Sequence, residues 1–96
     1  MSYVVIARWV ARSGEEAAVL RALQELTTAS RDEPGCRFYQ PTRDIDDGRV
    51  FLLLEIYDDA EAYQAHAESE HFRRFAVADA IPRLERRERE FYETIA

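Results

Sequence analysis

The segment that most constrains the fold of this chain is Val50–Tyr57, which is apolar at almost every position. Side chains alternate between the two faces of a strand. Val50, Leu52, Leu54 and Ile56 would therefore lie on one face, and the other face would also be largely apolar. The segment Tyr3–Ala11 shows the same property. A sheet covered by helices on one side only should alternate apolar and polar residues, so these two strands predict a sheet that needs cover on both faces.

The rest of the chain supplies further strands and two helical regions within a single domain, residues 1–96. Apolar, β-branched and aromatic composition predicts four strands, namely Tyr3–Ala11, Cys36–Arg43, Arg49–Tyr57 and a last one from about 86 to 95. Pro41 cannot donate a ladder hydrogen bond, which places the second strand at a sheet edge or a bulge. The order βαββαβ indicates an α+β, ferredoxin-like fold with an antiparallel four-stranded sheet and two helical regions on one face.

Local signals give the expected limits of the helices. Capping boxes are predicted at Ser13–Glu16 and at Asp58–Glu61. Pro34 should end the first helix near Glu33, and the following Gly35 is expected to adopt a positive φ. The second helical region should break near residues 67–70, where Ser69 offers another N-cap, and should continue to about Asp79.

The excess of apolar strand surface predicts a homodimer. Two helices cover one face of the sheet, and a contiguous exposed apolar patch normally marks an interface. The simplest cover for the other face is a second copy related by a two-fold axis.

Composition excludes several partners. Thirteen basic against nineteen acidic side chains give a net charge of −6, which disfavours binding to nucleic acid or to an anionic membrane surface. The single Cys36 cannot form an internal disulfide, and we expect neither a signal peptide nor a membrane-spanning segment. We therefore expect a cytoplasmic protein.

Few residues are candidates for chemistry. His66 and His71 are five positions apart, which corresponds to about 140° around a continuous helix, so no metal-ligand set is expected. His71, next to a predicted N-cap, is a candidate proton acceptor; the alternative is that it only caps or packs at a helix start. Arg8 interrupts an apolar strand and needs an anionic partner, either Glu55 or a substrate oxyanion.

Aromatic side chains are numerous enough to line a pocket, although in a small domain such a set is more often core. The candidates are Trp9, Tyr39, Tyr57 and Phe72, with Phe38, Tyr63 and Phe75 in addition. From the residues alone, the function stays open.

Several stretches in order resemble the antibiotic biosynthesis monooxygenase (ABM) domain family, which includes quinol monooxygenases. They are Val4–Arg8, Ser13–Glu16, Ser30–Cys36 leading into Phe38-Tyr39, Phe51–Asp59 and Ala65–Phe72. The combination of Glu-Pro-Gly-Cys with a later Ser-x-His-Phe is specific to that family, and the resemblance covers positions 4 to about 76.

The resemblance implies a dimeric, cofactor-free monooxygenase that oxidises an electron-rich phenol, quinol or polycyclic aromatic with O₂ in an apolar pocket. It implies His71 as proton acceptor and Arg8 as phenolate stabiliser. The implied substrate-binding residues are Trp9, Tyr39, Tyr57 and Phe72, with Glu55 and His66 close by. The family commonly has Trp where this chain has Tyr57.

Two alternatives stay open. Related members include an isomerase, which needs only an acid–base group and an anion site. A non-catalytic ligand-binding or stress-response dimer would use the same pocket. A haem-degrading activity fits poorly, because the expected axial ligand is missing.

Overall fold

The computed structural model describes all residues, 1–96, and confirms the α+β, ferredoxin-like fold. Strand β1 (Tyr3–Ala11) is followed by helix α1 (Glu16–Arg31), β2 (Cys36–Arg43) and β3 (Val50–Tyr57). Helix α2 (Ala60–Ala67), a π-helix (Phe72–Ala80), a 3₁₀ turn (Ile81–Arg83) and β4 (Leu84–Glu93) complete the chain. None of the helices has the length and apolar character needed to cross a membrane.

The four strands form one antiparallel sheet in the order β2-β3-β1-β4. Strand β2 is at the edge, as Pro41 predicts, and the ladder to β3 shifts register between Cys36 and Phe38. The last strand begins and ends about two residues earlier than predicted. Its charged side chains are tolerated because β4 is the other edge strand.

The core lies between the sheet and the helices. Residues of odd number in β1 and β3 point toward the helices, and Val5, Trp9, Phe51 and Leu53 are at most 2% exposed. Helix α1 packs Val19, Leu23 and Leu26 against them, as the predicted spacing requires.

No helix covers the other side of the sheet, which we call the open face. Its apolar side chains are only partly buried, and Phe38 and Tyr92 remain 45% and 51% exposed. The open face comprises Val4, Ile6, Arg8, Val50, Leu52, Leu54 and Ile56, with Phe38, Glu88, Glu90 and Tyr92 from the edge strands. The alternation predicted for β3 is therefore confirmed, and one apolar face stays uncovered in the single chain.

Three details of the turns differ from the sequence predictions. Glu15 is the N-cap of α1 and makes no side-chain cap hydrogen bond, so the Ser13–Glu16 capping box does not form. Asp59, not Asp58, caps α2 by accepting a hydrogen bond from the Ala62 amide at 2.8 Å, because Asp58 is engaged by Arg37. Gly35 does not take a positive φ, and only Gly14 does.

Candidate active site

The carboxylate of Glu33, in the turn after helix α1, contacts two histidines, His66 in helix α2 and His71 just after it. Glu33 Oε2 is 2.7 Å from His66 Nδ1 and 2.5 Å from His71 Nε2. Burial is the largest single influence and raises the pKa of the Glu33 carboxyl, but the hydrogen bonds and the electrostatic attraction of the two imidazoles together outweigh it and leave the pKa below its usual value. The carboxylate form is therefore favoured, and both imidazoles donate to it.

The two histidines converge because the helix between them is interrupted. Helix α2 ends at Ala67, and the Ser69 hydroxyl then donates to the His66 carbonyl at 2.7 Å and accepts from the Phe72 amide at 3.1 Å. This confirms the break and the Ser69 cap predicted from the sequence. The expectation that His66 and His71 point apart is wrong, because the angle of about 140° applies only to a continuous helix.

Gly35 brings Glu33 within reach of α2. The turn after α1 packs so tightly on this helix that a Cβ added at Gly35 would lie 2.5 Å from the Cβ of Ala62. The Gly35 carbonyl also accepts a hydrogen bond from the Asp58 amide. Glycine is needed here for close approach and not for a special backbone angle.

A second carboxylate lies beneath His66. Glu55 is 4% exposed, and its Oε1 accepts a hydrogen bond from the Tyr57 hydroxyl at 2.6 Å. The same oxygen is 4.0 Å from His66 Nε2. Burial raises the pKa of Glu55, and the Tyr57 hydroxyl and His66 offset this only in part.

Aromatic rings enclose His66. Its ring centroid lies 5.6 Å from that of Tyr39, 5.3 Å from Tyr57 and 5.2 Å from Phe72. Burial raises the pKa of both tyrosine hydroxyls, so neither ionises near neutral pH. Six of the eight predicted site residues therefore gather in one cluster, namely Tyr39, Glu55, Tyr57, His66, His71 and Phe72.

The other two predicted residues, Arg8 and Trp9, lie elsewhere. Arg8 points to the open face and pairs with Glu88 at 3.6 Å, so the predicted pairing with Glu55 is wrong. Side chains of adjacent strand residues point to opposite faces, and Arg8 is three positions from Val5, which faces Glu55 across the ladder. Trp9 is on the helix side, but about 13 Å along β1 from that point, in the main core.

The expected apolar cavity lined by His71 and Arg8 is not formed in the single chain. None of the five main pockets includes His71, and the only one bordered by an aromatic residue of the cluster, Tyr39, measures about 170 Å³. His66 is 2% exposed, whereas the His71 side chain is 22% and the Glu33 side chain 12% exposed. A ligand from solvent would therefore reach the cluster past the partly exposed side chains of His71 and Glu33.

Sequence reasoning missed Glu33 as a member of the cluster, and it gave Tyr63 only as one of several aromatic candidates. Glu33 belongs to the Glu-Pro-Gly-Cys motif, and its position before a tight turn could have suggested it. The Tyr63 ring stacks on His66 at 6.2 Å, and its hydroxyl accepts a hydrogen bond from Arg89. Nothing in the sequence pattern singles out Tyr63 among the aromatic residues.

Comparisons with known proteins agree with this architecture. The structure of PA3566 from Pseudomonas aeruginosa shares 30% identity, with a TM-score of 0.88 over 99% of this chain and 95% of that one. Rv0793 from Mycobacterium tuberculosis shares 27% identity at a TM-score of 0.91, covering 100% and 97% of the two chains. A structure described as antibiotic biosynthesis monooxygenase shares 24% identity at 0.91, covering 98% and 99%.

No curated protein sequence matches this chain. A family model described as "Antibiotic biosynthesis monooxygenase" matches residues 2–78, which include both histidines and Glu33. The chain therefore belongs to the antibiotic biosynthesis monooxygenase family.

Proposed function

We propose that this protein is a cofactor-independent monooxygenase that oxidises an electron-rich phenol or quinol with O₂. Family membership supports the reaction class. The observation that carries the proposal is the contact between Glu33 Oε2 and His71 Nε2, because it orients a partly exposed imidazole at the edge of an aromatic cluster. Of the predicted site, His71 keeps its role as proton acceptor, whereas Arg8 and Trp9 do not share the site.

The hydrogen bond to Glu33 supports Nδ1 of His71 as the proposed proton-accepting atom. A neutral imidazole carries one proton, so donation from Nε2 to the Glu33 carboxylate leaves Nδ1 of His71 unprotonated. Glu33 is then a positioning residue that holds the tautomer and stabilises the imidazolium after proton transfer, as the carboxylate does in a carboxylate–histidine pair. His71 Nδ1 takes the phenolic proton.

The deprotonated substrate supplies the electrons for the reaction. A phenolate gives electrons to O₂, one oxygen atom bonds to the ring carbon and becomes the second quinone oxygen, and the other leaves as water. The overall change, phenol plus O₂ to quinone plus water, balances without another reductant. The protein binds the phenol, removes its proton and keeps bulk water away.

The alternatives make different demands on the site. An isomerase acting on an anionic substrate needs a cation beside the proton acceptor, and Arg8 is on the opposite side of the sheet. A non-catalytic binder fits the closed packing around His66. We keep the binder as an outcome of the test below.

Oxygen consumption with a dihydroxynaphthalene is the direct test. We expect saturable uptake with one O₂ consumed per hydroxyquinone and water formed and no hydrogen peroxide released, and a loss of about 100-fold or more in kcat for His71→Gln, the usual range for a general base. Glu33→Gln should lower kcat less, and Glu61→Gln, at an exposed position on α2, should leave it unchanged. Ligand binding without O₂ uptake would establish the binder instead.

We also propose that a second copy of the chain covers the open face. This face combines an apolar strip, including Ile6, Leu52 and Leu54, with the cationic Arg8 on the inner strand β1 and the anionic Glu88 on the edge strand β4. Such a mixture is self-complementary under a two-fold axis, as an isologous interface requires. The cytoplasmic location expected from the sequence stays a prediction.

Light scattering coupled to size-exclusion chromatography tests the dimer. The unmodified chain should elute with a mass of about twice 11.2 kDa. Leu54→Glu, which places a charge in the middle of the open face, should give monomers, whereas Val77→Glu on the π-helix should not, since Val77 is already 52% exposed. A monomeric wild-type protein at micromolar concentration would refute the proposal.

A further inference from the structure

We propose that Glu33, His66 and His71 form a binding site for a divalent transition-metal ion, with Zn²⁺ as the representative ion. The inference does not depend on the proposed oxygenation, because it rests on the arrangement of three donor atoms. Two imidazoles and one carboxylate are a common donor set for zinc with an open fourth position, which water would fill.

The three donor atoms already lie close to the required geometry. Glu33 Oε2, His66 Nδ1 and His71 Nε2 all lie within 4.8 Å of one another. Zinc bonds of about 2.0–2.2 Å place tetrahedral donors about 3.3–3.5 Å apart. The two contacts to Glu33, at 2.7 and 2.5 Å, need to open by about 1 Å or less to admit an ion at that spacing.

The environment of His66 provides the outer partner that zinc-bound histidines normally have. When a metal takes Nδ1, the imidazole proton moves to Nε2, which lies 4.0 Å from Glu55 Oε1 and would reach hydrogen-bond distance after a shift of about 1 Å. The Tyr57 hydroxyl donates a hydrogen bond to the Glu55 carboxylate. A ligating histidine that points its other nitrogen at a carboxylate is the usual outer arrangement of such sites.

Charge in the cluster also favours a cation. Glu33 and Glu55 are 12% and 5% exposed at their side chains, and neither forms an ion pair with an arginine. Within ion-pair distance their only cationic partners would be the two histidines, and Arg87 acts on Glu55 from farther away. A divalent ion bound by Glu33 would neutralise negative charge that otherwise has only the imidazoles as nearby partners.

Metal binding would oppose the proposed proton transfer. With zinc on Nε2, neutral His71 carries its proton on Nδ1, so this atom donates and no longer accepts. Zinc should therefore inhibit O₂ uptake in proportion to occupancy. The ion would be an inhibitor of that reaction and not its cofactor.

Calorimetric titration of the metal-free chain with ZnCl₂ tests the site. The protein must carry no polyhistidine tag. We expect one zinc per chain, a loss of affinity of about 100-fold or more in Glu33→Gln and in His71→Gln, and about 10- to 100-fold in Glu55→Gln, the range for outer-shell partners. The matched control Glu61→Gln should bind as the wild type does.

Cobalt supplies an independent signature, since tetrahedral Co²⁺ absorbs strongly in visible light. Wild type and Glu61→Gln should show this absorption after addition of CoCl₂, and His71→Gln should not. His71 is partly exposed, so this variant is expected to fold, and circular dichroism checks it. No zinc binding at millimolar concentration, or equal binding in wild type, Glu33→Gln and His71→Gln, would overturn the inference, whatever the O₂ assay shows.

Discussion

Replacing Gly35 by alanine should disturb the contact that holds the candidate site together. The new Cβ would lie 2.5 Å from the Cβ of Ala62, whereas carbon atoms pack at about 3.5–4.0 Å. Helix α2 or the turn must therefore retreat by about 1 Å. Overpacking of this kind costs about 1–3 kcal/mol of unfolding free energy. Backbone strain should add nothing to this cost, because Gly35 does not have a positive φ and alanine can adopt its conformation.

A double-mutant cycle isolates this steric effect. Ala62→Gly alone should destabilise by about 1 kcal/mol, the usual difference between glycine and alanine in a helix. Combined with Gly35→Ala, it removes the clashing atom and leaves the Ala62 Cα at 3.6 Å, which is ordinary contact. The double variant should then be more stable than the sum of the single changes predicts, by about 1–2 kcal/mol.

Urea denaturation at one fixed protein concentration measures all four members of the cycle, because dimerisation would make stability depend on concentration. The reasoning fails if Gly35→Ala unfolds at the same urea concentration as the wild type. It also fails if Ala62→Gly does not reduce the cost of Gly35→Ala. Either result would mean that the turn and α2 do not approach as closely as the structure shows.

Three other substitutions have expected costs that the same denaturation measurement checks. Asp59→Ala removes the N-cap of α2 and should cost about 1 kcal/mol, whereas a cost near zero would contradict the cap. Ser69→Ala should cost about as much, since its hydroxyl caps the Phe72 amide, and an unchanged midpoint would contradict this. Tyr57→Phe should cost about 1–3 kcal/mol because Glu55 stays buried without its hydrogen-bond donor; a stabilising effect would show that Glu55 does not need that donor.

The order of strands and helices along the chain and the uncovered face could be predicted because they depend on residue composition and period-two patterning. The apolar residues at both odd and even positions of Val50–Tyr57 indicate that both faces of the sheet are apolar. In the structure, burial alternates along this strand as the pattern requires. Pro41 identified an edge strand for the same local reason. The cap of α2 was less predictable, because aspartate is a good N-cap and this chain has two in a row, Asp58 and Asp59. Asp58 binds Arg37, which is distant in sequence, and Asp59 is the residue that caps the helix.

The candidate site was predictable in its residue types and not in its geometry. His66 and His71 were identified and the break at Ser69 was predicted, but the helical-wheel angle between the two histidines assumed a continuous helix. Arg8 was paired with Glu55 because both interrupt apolar strands. The register of β1 and β3 separates them onto opposite faces, and register depends on contacts that single strands do not encode.

Glu33 connects the two proposals, because the same oxygen orients His71 and would ligate the metal. A carboxylate that receives two neutral imidazoles fixes one tautomer on each ring, with Nδ1 of His71 and Nε2 of His66 left as acceptors. An ion at the centre reverses both tautomers, which gives Glu55 a donor and takes away the proton acceptor at the edge of the cluster. The two proposals therefore require one set of residues in two exclusive states. Zinc should inhibit wild-type oxygen uptake at the concentrations at which it binds, and Glu33→Gln should weaken both properties.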